Sequence, residues 1–149
     1  MATLARAIAI AAEAHQDQQD KAGAPYVLHP LRLMLRMHTE ADMMAAVLRD
    51  VVEDTPWTLE RLRQEGFPEE VLAAVEAVTH RAGETYEAYL ARAADPIARK
   101  VKRADLEDNM DLRRLSALTD KDVERLRRYH KVWRALSGGD TAGDAATLA

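Results

Sequence analysis

Apolar residues recur along this chain at three- and four-residue intervals, and no stretch shows convincing strand alternation, so the pattern predicts helices throughout. Leu4, Ile8, Ala11, Ala12 and His15 fall on one side of a first helix, capped by Thr3 and running to about Gln18. Asp20 to Pro25, with Gly23 and Pro25 close together, interrupts it as a loop. Pro30 suits the first turn of a second helix, to about Met37. A third spans about Glu40 to Asp54, with Met43, Met44, Val47, Leu48, Val51 and Val52 as core positions. Pro56 and Trp57 end it, and Thr58 opens a short helix that Gly66 stops. Another begins at Pro68-Glu69-Glu70, where acids sit in the first turn as the helix dipole favours. Arg81 to Glu84 reads as a loop, followed by a helix around Tyr86–Ala93. Pro96 opens a long helix to about Leu115, and Thr119 with Asp120 caps a last one to about Leu136. Residues 137–149, SGGDTAGDAATLA, lack core positions and are expected to be disordered. The expectation is all-α, a single compact domain over residues 1–136 of about seven or eight helices.

Composition narrows the picture modestly. At 149 residues the chain fits one domain with one core. The net charge of −4 gives no reason to expect nucleic acid as a partner. The absence of cysteine excludes disulfides and thiolate metal sites. MATLARAIAI is apolar but runs directly into Glu13, His15, Gln16 and Asp17, with no cleavage pattern and no membrane-length apolar run. A cytoplasmic protein without a membrane partner is the expectation.

Three stretches carry candidate chemistry. In AAVLRDVVEDT (Ala45–Thr55), Asp50, Glu53 and Asp54 share one helix face among core residues. Like charges at that spacing cost a helix about 0.2–0.5 kcal/mol per pair, so they point to a cleft where a cation or substrate uses them. In Val101–Asp111, Lys102, Asp105, Asp108 and Asn109 lie on one side of a helix. Lys21–Pro30 is a rigid loop that ends in His29. A histidine and two aspartates from three elements suit a divalent cation, and without sulfur Mn²⁺ is favoured over Zn²⁺. His15 reads as structural, packed near this site, and His38, His80 and His130 as surface residues. Arg125, Arg127, Arg128 and Lys131 read as a solvated basic face.

Taken in order, AHQDQ (Ala14–Gln18), DKAGAPYVLHP (Asp20–Pro30), AAVLRDVVEDT and VKRADLEDNM (Val101–Met110) resemble the HD-superfamily phosphohydrolases. More narrowly, they resemble the hydrolase domain of RelA/SpoT-type (p)ppGpp enzymes and the small alarmone hydrolases. The resemblance spans about Ala9 to Leu115 and implies an all-helical fold. It implies that His29, Asp50 and Asp105 are ligands of one Mn²⁺, and that Glu53 and Asp54 orient or activate the water that attacks a 3′-diphosphate. It further implies that Lys21 and Asn109 contact the nucleotide and that Leu115 lies under the base; Lys102, beside Asp105, joins the substrate-binding set.

The chain departs from that pattern at three positions. Arg49 stands where the resemblance calls for a ligand histidine, and a guanidinium has no free lone pair with which to ligate. Asp20 replaces an arginine that stacks on guanine, and Asp111 stands where an arginine commonly follows the asparagine. Arg49 either swings to water or pairs with Asp50 or Glu53; the second is expected, since a bidentate contact satisfies acids that otherwise repel, and it places Arg49 in the substrate-binding set as a phosphate anchor, with weak or absent Mn²⁺ binding. Two functions follow: an HD-type phosphohydrolase acting on a nucleotide or related diphosphate ester, or a degenerate HD domain that binds a nucleotide or protein without hydrolysis.

Overall fold

The computed structural model describes residues 1–138. Its helices are α1 (Leu4–Ala14), α2 (Leu28–Leu35), α3 (Glu40–Asp54), α4 (Leu59–Gln64), α5 (Glu69–Val78), α6 (Tyr86–Arg92), α7 (Pro96–Asn109) and α8 (Asp120–Ser137), with a 3₁₀ turn at Leu112–Arg114. Among the described residues no strand forms, so the all-α expectation holds. The expected tail lies, from residue 139 onward, outside the described residues; Ser137 is instead the buried last residue of α8.

Threonine hydroxyls start most of these helices. Thr3, Thr39, Thr58, Thr85 and Thr119 each accept a backbone N–H from the first turn, and Thr119 forms a reciprocal capping box with Asp122. Three boundaries differ from the sequence reading. α1 ends at Ala14 and not near Gln18, because the chain turns through His15, whose N–H returns to Ala11, and closes a tight turn from Gln18 to His15. α2 begins at Leu28 and not at Pro30, which puts His29 on a helix; Pro30 is tolerated because first-turn N–H groups have no helical partner. α7 stops at Asn109 and not near Leu115, because Asp111 accepts from the Arg113 N–H and redirects the chain.

α3 is the central helix and packs against α1, α2, α5 and α7. Met44, Ala45, Ala46, Val47, Leu48 and Val51 are buried, so this helix has no solvated face between Met44 and Val51 and opens to solvent in its last turn. Leu33, Leu62, Val71, Leu72, Val75 and Val101 close around it in one continuous core. A smaller cluster, Ala93, Leu106 and Leu136 flanked by Tyr129, Val132 and Trp133, docks α8 on α7.

Candidate functional site

Because α3 is enclosed, polar residues on it are forced into the interior. Arg49 is 7% exposed and Asp50 1%. A buried charge is tolerated only with partners. Arg49 Nη1 bonds to Asp50 Oδ1, and its Nη2 lies 3.2 Å from Oδ2 of Asp105 on α7. The guanidinium thus bridges two carboxylates, one of them the expected Asp50; Glu53 is not its partner. Asp105 collects three further donors: Lys102 Nζ at 2.9 Å, His29 Nε2 at 3.0 Å and Asn109 Nδ2 at 3.1 Å. Asp50 also accepts from the Tyr26 hydroxyl at 2.7 Å, and His29 Nε2 is 3.8 Å away.

His29 projects from the first turn of α2 with carboxylate oxygens at both ring nitrogens, since Nδ1 lies 2.6 Å from Asp108 Oδ2. Burial pushes its pKa down, but the hydrogen bonds to Asp105 and Asp108 outweigh this and hold it raised. Asp105 is held far below the usual carboxylate range: burial opposes ionisation, but Arg49 and then Lys102 prevail. Asp108 is held low against its burial by the hydrogen bonds of His29 and Arg32. Burial, reinforced by the charge of Asp50, drives the Tyr26 phenol well above its ordinary value.

The remaining acids lie toward the rim. Glu53 Oε1 accepts the His80 backbone N–H at 2.8 Å and so ties α3 to the end of α5. His80 is exposed as expected, but its ring also stacks on Tyr89 at 4.6 Å. Asp54 is exposed, with a pKa raised by partial burial and then by the neighbouring charges of Asp50 and Glu53. His15 is buried beside Tyr26, with Nδ1 2.7 Å from Gln18, which agrees with a structural role.

These positions test whether a divalent ion fits. His29, Asp50 and Asp105 converge, but the Arg49 guanidinium lies between the two carboxylates, and both His29 nitrogens face acceptors. In this arrangement the set does not fit the expected ion. Farther out, Asp50, Glu53 and Asp54 each offer an oxygen within 4.8 Å of the others, a spacing an ion can bridge.

Next to the polar cluster is a cleft of about 410 Å³, walled by Asp20, Lys21 and Tyr26 on one side, Asn109, Asp111 and Leu115 on the second, and Arg125 with Tyr129 on the third. The cleft therefore brings together Lys21, Asn109 and Leu115, three residues expected to hold substrate. Arg125 is a correction: it lines this cleft, and is not merely part of a solvated face. Asp20 has a structural task, since Oδ1 accepts the N–H groups of Ala22 and Ala24, both at 2.9 Å, across a turn where Gly23 has φ 86°. Those amides, with Arg114, lower its pKa despite its burial. Asp111 is held at about 2 by Arg113.

Three participants were not assigned roles from the sequence. Asp108 shares the helical side of Asp105, which the sequence pattern shows, but that pattern gives it no role; the structure makes it the partner of His29 Nδ1. Arg114 lies 3.0 Å from Asp108 and 3.5 Å from Asp20, and donates to Asn109 at 3.1 Å. Tyr26 sits three residues before His29 in the loop motif.

The comparisons with known proteins agree with this architecture. The HD domain family matches residues 7–133. A guanosine-3′,5′-bis(diphosphate) 3′-pyrophosphohydrolase of Aquifex aeolicus is 35% identical over 118 residues, which cover 70% of this chain and 17% of the relative. A probable enzyme of the same description from Synechocystis sp. is 33% identical over 144 residues, 86% of this chain and 19% of the relative. The chain thus spans less than a fifth of the length of these curated relatives. A solved structure described as a metazoan ortholog of SpoT that hydrolyses ppGpp superposes with a TM-score of 0.72 at 25% identity, covering 91% of this chain and 85% of that one.

Proposed function

The chain belongs to the HD domain family, and from that premise we propose that it is an HD-type phosphohydrolase, resembling (p)ppGpp 3′-pyrophosphohydrolases, that takes a nucleotide or a related diphosphate ester. The observation that carries this reading is the meeting of His29, Asp50 and Asp105 from three helices beside a cleft lined by Lys21, Asn109 and Leu115. Lys21, Arg49 and Lys102 supply positive charge for phosphate groups, Asn109 a polar contact, and Leu115 an apolar surface for a base. Asp54, with its raised pKa, is suited to take the proton of an attacking water, and Glu53 orients the water from the adjacent turn. The water oxygen bonds to phosphorus as the phosphorus–oxygen bond of the ester breaks; Asp54 takes the proton of the water and returns it to the departing ester oxygen, which leaves as a hydroxyl while the phosphoryl group is released carrying the oxygen of the water.

In this reading the expected cofactor is Mn²⁺, favoured by imidazole and carboxylate donors without sulfur. It must compete with Arg49 for Asp50 and Asp105. That bridge is the observation favouring the second reading, a domain that binds a nucleotide or protein partner without hydrolysing it. No helix among the described residues is long and apolar enough to cross a membrane, and the acidic chain supports a small-molecule partner over nucleic acid.

The test is a hydrolysis screen with ppGpp, pppGpp and common nucleotides, with and without Mn²⁺, alongside thermal shift on the same ligands. Turnover of any of them supports the enzyme. Thermal stabilisation without turnover supports the binder. Neither effect with any ligand would sink the enzyme and the nucleotide binder alike.

A further inference from the structure

Arg49 combines three properties that a residue held only for packing does not need. It is nine-tenths buried, it satisfies two carboxylates from different helices, and its Nε has no hydrogen-bond partner among the described residues. A buried donor left unmade costs about 1–3 kcal/mol; Arg114, likewise paired with two carboxylates, also leaves its Nε unmade, but Arg49 is the more deeply buried of the two. A second donor in the same corner is in the same condition. The Tyr89 hydroxyl, on α6, is buried and has no partner among the described residues. Lys102 Nζ lies 5.6 Å from the Tyr89 ring centre, and the charges of Lys102 and Arg49 both reach the Tyr89 hydroxyl. The His80 ring stacks on Tyr89 and holds it in place, while the same residue's backbone N–H fixes Glu53. One corner of the cluster therefore has two cations, paired with Asp50 and Asp105, and two buried groups without a hydrogen-bond acceptor; Glu53, whose charge also reaches Arg49, is held by the His80 backbone N–H.

We propose that Arg49 takes the place of a divalent ion in this domain, and that its Nε, with the Tyr89 hydroxyl and Lys102, receives the oxygens of a phosphoryl group in a metal-free site. The proposal rests on reading the cleft as one for phosphate esters. A guanidinium spanning Asp50 and Asp105 performs the charge neutralisation that an ion would perform on the same oxygens. A divalent ion added beside it meets repulsion: two unit charges at about 4 Å interact by roughly 4 kcal/mol at an effective dielectric near 20, and a double charge doubles this. An anion is drawn to Arg49 and Lys102 against the flanking charges of Asp50, Asp105 and Glu53. Charged, fixed donors favour an anionic ligand over a neutral sugar, and reading the cleft as one for phosphate esters makes that anion a phosphoryl group.

The experiment uses the full chain with inorganic pyrophosphate as probe. The protein is loaded with excess Mn²⁺, desalted, and its metal content measured by mass spectrometry. Wild type should retain less than about a tenth of an ion per chain, and Arg49→His about one, because imidazole supplies the missing ligand. In calorimetry with EDTA present, pyrophosphate should bind wild type. Tyr89→Phe should weaken that binding at least about tenfold, the scale of a lost hydrogen bond to a charged group, with little change in Tm. Removing a buried Arg charge risks misfolding, so Tyr89→Phe keeps the proposal testable if an Arg49 variant fails to fold. Stoichiometric Mn²⁺ in wild type overturns it, as does unchanged affinity in Tyr89→Phe. Pyrophosphate binding that requires Mn²⁺ also overturns it, yet leaves the phosphate-ester reading intact; no binding with or without Mn²⁺ removes both.

Discussion

Asp108 is the residue on which the geometry of His29 depends, and replacing it by asparagine tests that dependence. The carboxylate receives three donors, His29 Nδ1 at 2.6 Å and Arg32 Nε at 2.8 Å and Nη2 at 3.1 Å, and has Arg114 Nη1 as an ion-pair neighbour at 3.0 Å. It is fully buried. Asparagine keeps the shape but has one acceptor oxygen, so its amide hydrogens must face a donor, and the charge that balanced Arg32 is gone. Breaking a buried ion pair costs about 3–5 kcal/mol; Arg32 is 37% exposed in its side chain, and solvent screening reduces the loss to about 2–4 kcal/mol. At this chain length that corresponds to a Tm lower by about 5–15 °C. The pH dependence is more diagnostic. Because the folded pKa of Asp108 is depressed, its contribution is complete above the unfolded value near 4 and is lost as pH falls toward the folded value. It should add about 1.4 kcal/mol per pH unit to the acid slope of wild type, and asparagine should abolish that share. For His29, whose folded pKa is raised, the contribution is complete below about pH 6.5 and is lost as pH rises through the folded value. Asparagine should shrink that alkaline loss too. Urea denaturation of both proteins from pH 3 to 9 measures this. Equal stabilities with parallel pH profiles would refute the argument that Asp108 holds the imidazole.

Asp54→Asn should lower any phosphohydrolase turnover at least about 100-fold without loss of stability, since it removes a general base and relieves like-charge crowding; wild-type rates in the variant would return Asp54 to a solvated face. Thr119→Ala should cost about 1 kcal/mol of stability by deleting the capping box of α8, read as a Tm lower by about 2–4 °C. Leu48→Ala, at a fully buried position on α3, should cost about 2–5 kcal/mol in urea denaturation. Asp20→Asn keeps both backbone hydrogen bonds but removes a negative charge from the cleft wall, so anionic nucleotides should bind about two- to threefold tighter by calorimetry, and less so in high salt.

Much of the fold was legible because its signals are local. Thr3, Thr58 and Thr119 announce helix starts, Pro96 opens α7, and the bounds of α3 coincide with its apolar pattern. The end of α7 was not legible, because nothing in its periodicity stops at Asn109; the stop comes from Asp111 bonding to the backbone of Arg113. The meeting of His29, Asp50 and Asp105 was suggested by helical register together with family resemblance. The partners that define their charge states were not, because His29 and Asp108 are 79 residues apart and Arg114 arrives from a turn with no regular pattern. Asp20 shows the same limit: read as a lost recognition residue, it is also the brace of its own loop, a role visible only once Ala22 and Ala24 are in place.

The division of the interior into two apolar clusters has a dynamic consequence. α8 is attached through the smaller one, so its detachment exposes few side chains and costs much less than disrupting the packing around α3. Arg125 and Tyr129, on that loosely attached helix, form one wall of the cleft, while Lys21 and Asn109 belong to the main body. A guest touching both walls fastens the two cooperative units together. Part of its binding free energy then appears far from the contact atoms, as slower amide exchange along α8.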